Sequence, residues 1–404
     1  MTAATNDYDV AVVGGGPAGS ASAYFAAGLG LKTILFEKQV FPRDKPCGGA
    51  ISARNIPLLG ENALKIINGD IEEARIFGPS FQFFSYHQIH GYYVIRREFD
   101  AAMAQDARAA GAMVMENCLV KAINPLSSRD IEIKTEKGSF RATYVILATG
   151  FQNNHLIKQL AIRQKYEEDY LAITVVSETA VKNHVLEKSG IHGKSLSVFF
   201  GVVPNGYGWL FIKDGYLNIG IGATAVLLKD IGAINVYHRF VRVLKEKKLI
   251  PPYLALAKER PYPLPYKQTA RETVFGNILL VGDAAGFVSP VSGEGIYYSI
   301  KSGQLAAQAI KENQEKGRPL STYQKHWLKS FGRDINRYGY FLQKLIYKSS
   351  RRMEWAVKLA RHDRKMAKIF ISMLYGLYSY KRVIVNACCR LPVSLILSLF
   401  KRGI

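Results

Sequence analysis

The stretch YDVAVVGGGPAGSASAYFAAGLGLKTILFEK, residues 8–38, has the pattern of a strand, a glycine-rich turn, a helix and a second strand. Three glycines follow the first apolar run with the spacing G-x-G-x-x-G: Gly14, Gly16 and Gly19. Such glycines let the backbone approach a pyrophosphate, and the N-terminus of the following helix offers it N–H groups and the positive end of a dipole. Glu37, at the tip of the second strand, can accept a hydrogen bond from a ribose hydroxyl and disfavours a 2′-phosphate. The stretch therefore predicts an α/β domain that binds FAD or NAD rather than NADP.

A second segment, residues 277–310, reads NILLVGDAAGFVSPVSGEGIYYSIKSGQLAAQAI and predicts a strand, a glycine-rich loop and a long helix. At the tip of the strand, Asp283 can hold the ribityl hydroxyls of a flavin; a loop cap is the alternative role. Gly293, Glu294 and Gly295 begin the helix, whose positive end could stabilise negative charge on a reduced flavin. Glu294 is equally consistent with an ordinary N-terminal helix charge. The segment favours FAD over NAD.

Four motifs, taken in order, resemble those of a known family. GGGPAG near the start, together with GDAAGF and SGEG near residue 290, resembles the two-part FAD site of the p-hydroxybenzoate-hydroxylase-like flavoproteins. Within that superfamily, PNGYGWLF (204–211) is similar to the P-x-x-Y-x-W-x-F-P signature of geranylgeranyl reductases, and KPCGG (45–49) and RREFD (96–100) also match. The resemblance covers about the first 320 residues.

Two positions depart from the family pattern. Ile212 stands where the signature has its last proline, so the turn after the aromatic strand stays open. Thr149-Gly150 stands where the superfamily often has Asp-Gly, a pair that contacts both FAD and nicotinamide in the hydroxylases. The electron donor is therefore left open between NAD(P)H and ferredoxin.

The patterns and the resemblance together imply a set of FAD-binding residues. We expect contacts to FAD from Gly14, Gly16, Pro17, Ala18, Gly19, Glu37, Lys38, Cys47, Gly48, Gly49, Arg96, Gly282, Asp283, Gly293, Gly295 and Ile296. For Arg96 two roles have equal weight, since a guanidinium can pair with a flavin phosphate or anchor the helix that follows it.

Tyr207, Trp209 and Phe211 occupy every second position of their stretch, so a strand would turn all three rings to one face. Alternating aromatic residues are most often plain core. The resemblance instead implies that these rings bind the substrate beside the flavin. It also makes Tyr207 and Trp209 catalytic candidates, because a ring face can stabilise cationic character on an alkene carbon.

Cys47 lies between Pro46 and Gly48-Gly49, and the two glycines permit close approach to a ring system. We interpret its thiol as a catalytic candidate near the proton path, with a small buried apolar role as the alternative. The four cysteines contain no Cys-x-x-Cys pair, which favours free thiols in a reducing compartment. The histidines form no metal-binding pattern, so no metal is expected.

The predicted fold class is α/β, with three parts. A Rossmann-like FAD-binding domain comprises residues 1–54, 96–150 and 271–320. A mostly antiparallel β-sheet substrate domain is inserted as residues 55–95 and 151–270. Residues 321–404 form a basic, helical, membrane-associating C-terminal region.

The charge of the chain is strongly basic, with 54 Lys and Arg against 32 Asp and Glu, and this excess predicts an anionic partner. From Phe331 onward there are 16 basic and three acidic residues, mixed with aromatic residues. This predicts amphipathic helices on an anionic membrane; a solvated helical cap or a dock for an acidic protein is the alternative, and nucleic acid is disfavoured. Residues 383–400 are apolar but contain Arg390 and Pro392, so we expect them to rest on a membrane or pack in the core. With no signal peptide apparent, the expected location is cytoplasmic, peripheral on the inner face of the membrane.

The resemblance, taken with these observations, implies an FAD-dependent reductase that saturates isolated C=C bonds of geranylgeranyl-type isoprenoid chains on a lipid or diphosphate carrier. Hydride would come from reduced flavin and a proton from the protein. Two rivals are a flavin monooxygenase or halogenase on the same scaffold, and a non-catalytic electron-transfer flavoprotein at the membrane surface.

Overall fold

The computed structural model describes residues 7–87, 89, 91–151, 155–162, 170–187, 194–265 and 272–400. The two ends of the chain and residue 271, where predicted segments begin or end, lie outside these residues. The described strands are β1 Tyr8–Val13, β2 Thr33–Phe36, β3 Ala50–Ser52, β4 Glu73–Phe77, β5 Phe83–His87, β6 Gly91–Tyr93, β7 Met113–Met115, β8 Val120–Ser127, β9 Asp130–Thr135, β10 Gly138–Leu147, β11 Leu171–Ala180, β12 Ser195–Phe200, β13 Gly206–Lys213, β14 Tyr216–Thr224, β15 Arg260–Pro265, β16 Val274–Phe275 and β17 Ile278–Leu280.

The described α-helices are α1 Pro17–Gly28, α2 Glu61–Lys65, α3 Arg96–Ala109, α4 His155–Gln159, α5 Asn183–Glu187, α6 Ala225–Ile231, α7 Ala233–Glu246, α8 Ile296–Lys316, α9 Thr322–Trp327, α10 Tyr340–Tyr347, α11 Ser350–His362, α12 Arg364–Tyr375 and α13 Tyr380–Phe400. Two π-helical stretches, Leu328–Gly332 and Asp334–Gly339, join α9 to α10. Single 3-10 turns occur at Ala53–Leu58 and Gly282–Ala285.

The first sheet has the order β16-β17-β10-β1-β2-β7, and its four pairings from β17 to β7 are all parallel. The β8–β9 hairpin extends from β10. The central strands are unbroken apolar runs because a parallel sheet is covered on both faces. Helix α1 packs against α8 and α3, and its small residues permit the close approach. This is the predicted Rossmann-like arrangement, assembled from three separate parts of the chain.

The second sheet has the order β15-β11-β14-β13-β12-β4-β5 and is antiparallel except for the β4–β12 pair. Strand residues point alternately to its two faces. One face packs against α7, where Gly208 and Leu210 adjoin Phe240. The other face is turned toward the glycine-rich loops of the first sheet. The mostly antiparallel sheet is therefore confirmed, whereas the exact domain boundaries stay predictions.

The C-terminal region is helical, as predicted, and much of it is core. Trp327, Phe331 and Leu342 are buried, and α11 and α12 pack on β5, the edge strand of the second sheet. Asp363 caps α12 by accepting from the Lys365 amide. None of the helices in the described part of the chain combines the length and apolar character needed to cross a membrane.

Candidate active site

The first glycine turn brings backbone segments into contacts that a side chain would block. Gly14 has a φ of +104°, and a Cβ there would lie 2.5 Å from the Ala148 carbonyl oxygen. A Cβ on Gly19 would lie 1.7 Å from the Gly14 carbonyl oxygen, so α1 sits directly on the turn. Gly16 differs, because the nearest atom to a Cβ there is Arg43 Nη2 at 3.8 Å. The turn therefore opens onto the guanidinium of Arg43.

Arg43 was not predicted as a site residue, but it lies beside the first glycine turn and between two carboxylates. Its Nη2 lies 3.3 Å from Glu37 Oε2 and its Nη1 3.1 Å from Asp100 Oδ2. Its Nε is buried and has no hydrogen-bond partner among the described residues, and the same is true of Thr149 Oγ1 beside Gly14. Unpaired buried polar atoms are rare in folded proteins. Two such groups beside the N-terminus of α1 fit the pyrophosphate of a dinucleotide.

Glu37 is buried at the tip of β2 and already has backbone partners. It accepts from the Gly15 amide at 2.8 Å and from the Gln39 amide at 3.0 Å. These bonds hold the carboxylate over the glycine turn, where the predicted ribose contact requires it. Lys38, the next residue, is exposed, and the structure does not bring it to the cavity described below.

The second glycine loop contributes charged groups to the same region. Gly282 and Gly293 both have positive φ, of +57° and +67°. Asp283 Oδ2 lies 3.6 Å from Lys45 Nζ. Burial lowers the pKa of Lys45, but Asp283, Tyr262 and Asp100 together more than offset this and the net shift is upward. Lys45 belongs to the KPCGG motif, but the sequence did not indicate that its ammonium would pair with Asp283.

Glu294 sits in a buried ion pair rather than at a solvated helix end. Its Oε2 lies 2.5 Å from Arg54 Nη2, and its Oε1 accepts from the Ser52 hydroxyl at 3.2 Å. Burial raises the pKa of Glu294, with Arg54 opposing the shift. The Arg54 guanidinium in turn stacks on Tyr297, 3.9 Å from the ring centroid. The interpretation of Glu294 as a simple helix charge is therefore incomplete.

A cavity of about 220 Å³ lies between these loops and the open face of the second sheet. A single water needs only about 10–15 Å³ in comparable terms, so the cavity accommodates a much larger group. Its sheet side consists of alternate residues of four strands: Thr174, Val176, Leu196, Val198, Tyr207, Trp209, Phe211, Tyr262 and Leu264. Its other side is formed by Pro17, Lys45–Ser52, Arg96, Asp283, Val288, Ser292–Ile296 and Ser299, and α12 adds Leu374 and Tyr375.

The three predicted rings lie side by side in this cavity. The ring centroids of Tyr207 and Trp209 are 5.9 Å apart, and those of Trp209 and Phe211 are 6.1 Å apart. A Cβ on Gly220 of the neighbouring strand would lie 2.1 Å from Trp209 Cζ2, so the indole lies flat across β14 only because that position is glycine. The three rings therefore lie on the same face of β13, as their spacing in the sequence predicts.

Cys47 is half-buried and lines the cavity next to this wall. The Gly49 amide donates to its Sγ at 3.4 Å. A Cβ on Gly48 would lie 2.8 Å from the Phe211 ring, so the loop is pressed against the aromatic strand. Gly48 and Gly49 therefore allow the Cys47 loop to lie next to the aromatic residues of β13.

Arg96 is the first residue of α3 and makes two bonds of 2.8 Å to the carboxylate of Asp100. Burial opposes its charge, but Asp100 and then Cys47 raise the pKa of Arg96 overall. Of the two predicted roles, anchoring of the helix is what the contacts display; a contact to a flavin phosphate stays a prediction. Arg96 also lines the cavity, so its charge faces Cys47.

The structure brings many of the predicted site residues together, and their roles stay predictions. Among the predicted residues, the cavity brings together Pro17, Cys47, Gly48, Gly49, Arg96, Tyr207, Trp209, Phe211, Asp283, Gly293, Gly295 and Ile296. Gly14, Gly16, Ala18, Gly19 and Glu37 surround the first turn, and Gly282 precedes Asp283. Leu374 and Tyr375 were missed because α12 carries no motif that connects it with the loops.

Comparison with known proteins identifies relatives of this chain. Residues 9–150 match the family model described as FAD dependent oxidoreductase. The chain is 30% identical to the chloroplastic geranylgeranyl diphosphate reductase of Arabidopsis thaliana, over 93% of this chain and 80% of the relative. It is 30% identical to the digeranylgeranylglycerophospholipid reductase of Methanocaldococcus jannaschii, over 84% of this chain and 86% of the relative.

Solved structures share the fold over nearly the whole chain. A geranylgeranyl bacteriochlorophyll reductase-like protein of Thermoplasma acidophilum matches with a TM-score of 0.78 at 23% identity, covering 94% of this chain and 98% of that chain. A flavin-dependent brominase and a flavin-dependent halogenase both match with a TM-score of 0.69, at 16% and 18% identity. At these identities the likeness shows the fold alone, so the fold does not choose between reduction and halogenation.

Proposed function

Because this chain belongs to the geranylgeranyl reductase family of FAD-dependent oxidoreductases, we propose that it saturates isolated C=C bonds of an isoprenoid chain carried on a lipid or a diphosphate. The observation that carries the proposal is the cavity between the two sheets. Its one side is made of the glycine loops that suit a dinucleotide, and its other side is an apolar wall of alternating strand residues. A prenyl chain that lies on such a wall is removed from water, which contributes about 0.8 kcal/mol per CH₂.

The site residues supply what the cofactor does not. When bound and reduced, FAD supplies a hydride to one alkene carbon. The faces of Tyr207 and Trp209 stabilise positive charge that builds on the tertiary carbon, an attraction worth about 0.5–2 kcal/mol. Cys47 gives the proton to the other, less substituted carbon, so the tertiary carbon is the one that receives the hydride, and the guanidinium of Arg96 faces the thiolate that remains. The sum of hydride and proton is a gain of two hydrogens for each double bond.

The experiment is an anaerobic incubation of the purified holoenzyme with dithionite and one prenyl substrate at a time. Geranylgeranyl diphosphate, a digeranylgeranyl glycerolipid and a prenylated quinone are the three to compare. Mass spectrometry should detect products heavier by two hydrogens or multiples of two with at least one of them. An absolute requirement for O₂ would instead support the monooxygenase or halogenase, and reoxidation by quinone headgroup without any saturation would support the electron-transfer protein.

Peripheral binding to an anionic membrane is the second part of the proposal. It is supported by exposed apolar side chains on α10, α11 and α13: Phe341, Leu345, Trp355, Val385, Val393, Leu395 and Ile396. Exposed basic residues accompany them, among them Lys344, Arg352 and Arg382. Each basic residue near an anionic surface contributes about 1 kcal/mol, and such a surface lies where a water-insoluble substrate is available.

Deleting the region would be a poor test, because α12 supplies part of the cavity and α9 and α10 are packed in the core. Substitutions are sharper: Phe341, Leu345, Val385 and Ile396 are replaced together by Asp. We expect loss of cosedimentation with vesicles that contain anionic lipid. The matched control replaces four exposed apolar residues elsewhere, Val40, Leu126, Val226 and Ile234, and should leave binding unchanged. Equal binding by both variants would contradict the membrane proposal.

A further inference from the structure

A charged cluster lies at the end of the aromatic wall, on the same face of the second sheet. Lys213 follows Tyr207, Trp209 and Phe211 at the same every-second-residue spacing, and its side chain is 0% exposed. Its Nζ lies 2.5 Å from Glu178 Oε1 on β11 and donates to the Val94 carbonyl at 3.1 Å. A fully buried ammonium is expensive unless it is paired and hydrogen-bonded, so these contacts fix its position.

Asn218 connects this ion pair to the cavity. It lies on β14, directly opposite Glu178 on one side and Phe211 on the other, and it is fully buried. Its Nδ2 donates to Glu178 Oε1 at 3.0 Å and to the Cys47 carbonyl at 2.9 Å. Its Oδ1 accepts from Trp209 Nε1 at 2.8 Å. Since the indole N–H can only donate, the amide can be oriented in one way alone.

The same ammonium also fixes the far side of the Cys47 loop. Gly49 has a φ of +70°, and a Cβ there would lie 2.7 Å from Lys213 Nζ and 2.2 Å from the Val94 carbonyl oxygen. The Val94 amide donates to the Gly49 carbonyl at 2.8 Å. The loop is therefore held at Cys47 by Asn218 and at Gly49 by the Val94 backbone, which Lys213 itself engages.

We propose that Lys213, Glu178 and Asn218 form a positioning relay that fixes the Cys47 loop and the Trp209 ring relative to each other. None of the three lines the cavity, so they act through Cys47 and Trp209 rather than on the substrate. The turnover measurements that test this role depend on the proposed reductase function. The geometry of the loop can be measured without any substrate.

The first test is the alkylation rate of Cys47 by iodoacetamide in the full-length holoenzyme, followed by peptide mass spectrometry so that the other cysteines are resolved. Asn218→Leu removes three hydrogen bonds, two of which hold Cys47 and Trp209, and we expect it to change this rate by at least about five-fold. The matched control is Asn183→Leu, since Asn183 also makes side-chain hydrogen bonds but to Asp214 and Gly215, away from the loop. This control should leave the Cys47 rate unchanged. An unchanged rate in folded Asn218→Leu, or in Asn218→Ser if the Leu variant does not fold, overturns the proposal.

The second test separates positioning from simple packing. Lys213→Met leaves the half-buried Glu178 carboxylate without its cation, and we expect the Cys47 rate to change and kcat to fall with little change in KM. In the double variant Lys213→Met/Glu178→Gln the charge is gone and the Gln oxygen can still accept from Asn218, so both quantities should recover most of the way. Absence of recovery in the folded double variant overturns the relay. If no prenyl substrate is reduced by any form, the proposed function fails, while the alkylation rates still decide on the relay.

Discussion

The hydroxyl of Tyr207 donates to the carbonyl oxygen of Ser292 at 2.5 Å, which links the aromatic strand to the second glycine loop. Two tyrosines of the C-terminal helices join the same loop: Tyr347 donates to the Val291 carbonyl at 2.7 Å, and Tyr380 lies 2.5 Å from Ser289 Oγ. The loop that precedes α8 is thus tied to the substrate wall and to the C-terminal region by three phenol groups. Each of them is buried or half-buried, and burial raises all three phenol pKa values, that of Tyr380 to about 12.

Removing one of these bonds should weaken FAD binding. Tyr207→Phe loses a bond with a net value of about 0.5–1.5 kcal/mol, so we expect FAD affinity to fall about 2- to 12-fold. Because the pKa of Tyr207 is raised, its hydroxyl remains a donor in neutral and mildly alkaline buffer, and the ratio should not vary between them. Titration of apoenzyme with FAD, followed by flavin fluorescence, measures the effect. Tyr253→Phe, at an exposed residue, is the control; equal affinities would show that the loop does not need the bond.

The π face of Trp209 should matter for turnover more than for binding. Trp209→Leu and Trp209→Phe both remove the N–H that donates to Asn218. Only the Phe variant keeps an aromatic face. We therefore expect kcat of the Leu variant to be lower than that of the Phe variant by about 2- to 30-fold, the range that corresponds to 0.5–2 kcal/mol. KM should change less. Equal kcat values in the two variants would reduce Trp209 to a packing residue.

Cys47→Ala should abolish most of the reduction while the protein retains FAD. Loss of a positioned proton donor lowers turnover by about 10²- to 10⁴-fold. The measurements are substrate saturation by mass spectrometry and the ratio of bound flavin to protein by absorbance. Cys388→Ala, at an exposed cysteine, serves as the control. Full activity of Cys47→Ala would remove Cys47 from the mechanism.

Arg43 should contribute to FAD affinity through its Nε, which has no hydrogen-bond partner in the part of the chain that the structure describes. A hydrogen bond to a charged group has a net value of about 1.5–3 kcal/mol, so Arg43→Met should raise the Kd for FAD about 10- to 100-fold. Arg43→Lys keeps the positive charge but loses the guanidinium group. Its Kd for FAD should therefore lie between those of the unchanged protein and Arg43→Met. Arg260→Met, which disrupts only an exposed pair with Asp44, is the control. An unchanged Kd in Arg43→Met would exclude Arg43 from the cofactor site.

Asp363 should make the docking of α13 sensitive to acid. Burial raises its pKa, but hydrogen bonds from Arg390, Ser394 and the Lys365 amide lower the pKa to about 2. An unfolded Asp has a pKa near 3.9, so this group contributes about 2 kcal/mol of stability above that pH, and the contribution is lost as pH falls from about 4 to about 2. Urea unfolding at several pH values should show Asp363→Asn less stable at neutral pH, with the difference shrinking toward pH 2. Asp44→Asn, at an exposed residue, should show no such trend.

The parts of the fold that are determined by residues close together in the sequence could be predicted. Residues 8–38 fix the strand, turn and helix because Gly14 and Gly19 are required by contacts of 2.5 Å or less. The spacing of Tyr207, Trp209 and Phe211 fixes a common face because a strand alternates. Both are consequences of sequence neighbours, which a single sequence displays directly.

The charge partners could not be predicted, because they come from distant segments. Lys213 and Glu178 are 35 residues apart, and Arg54 and Glu294 are 240 apart. Nothing local in the sequence distinguishes a buried Lys213 from a solvated lysine at the end of a strand. For the same reason the basic C-terminal region was interpreted mainly as a membrane surface, whereas α12 also closes one end of the cavity through Leu374 and Tyr375.

The strand order of the first sheet determines when this sheet can be completed during translation. Strand β1 receives β10 on one side, and β10 must wait for β17, which leaves the ribosome only after the entire second sheet has been translated. A nascent chain that stops before Ile296 has the first glycine turn but lacks α8, which packs on α1. The glycine-rich loop and α8 therefore complete the flavin site only after the second sheet has been made, and until β17 pairs with β10 that apolar strand edge stays uncovered.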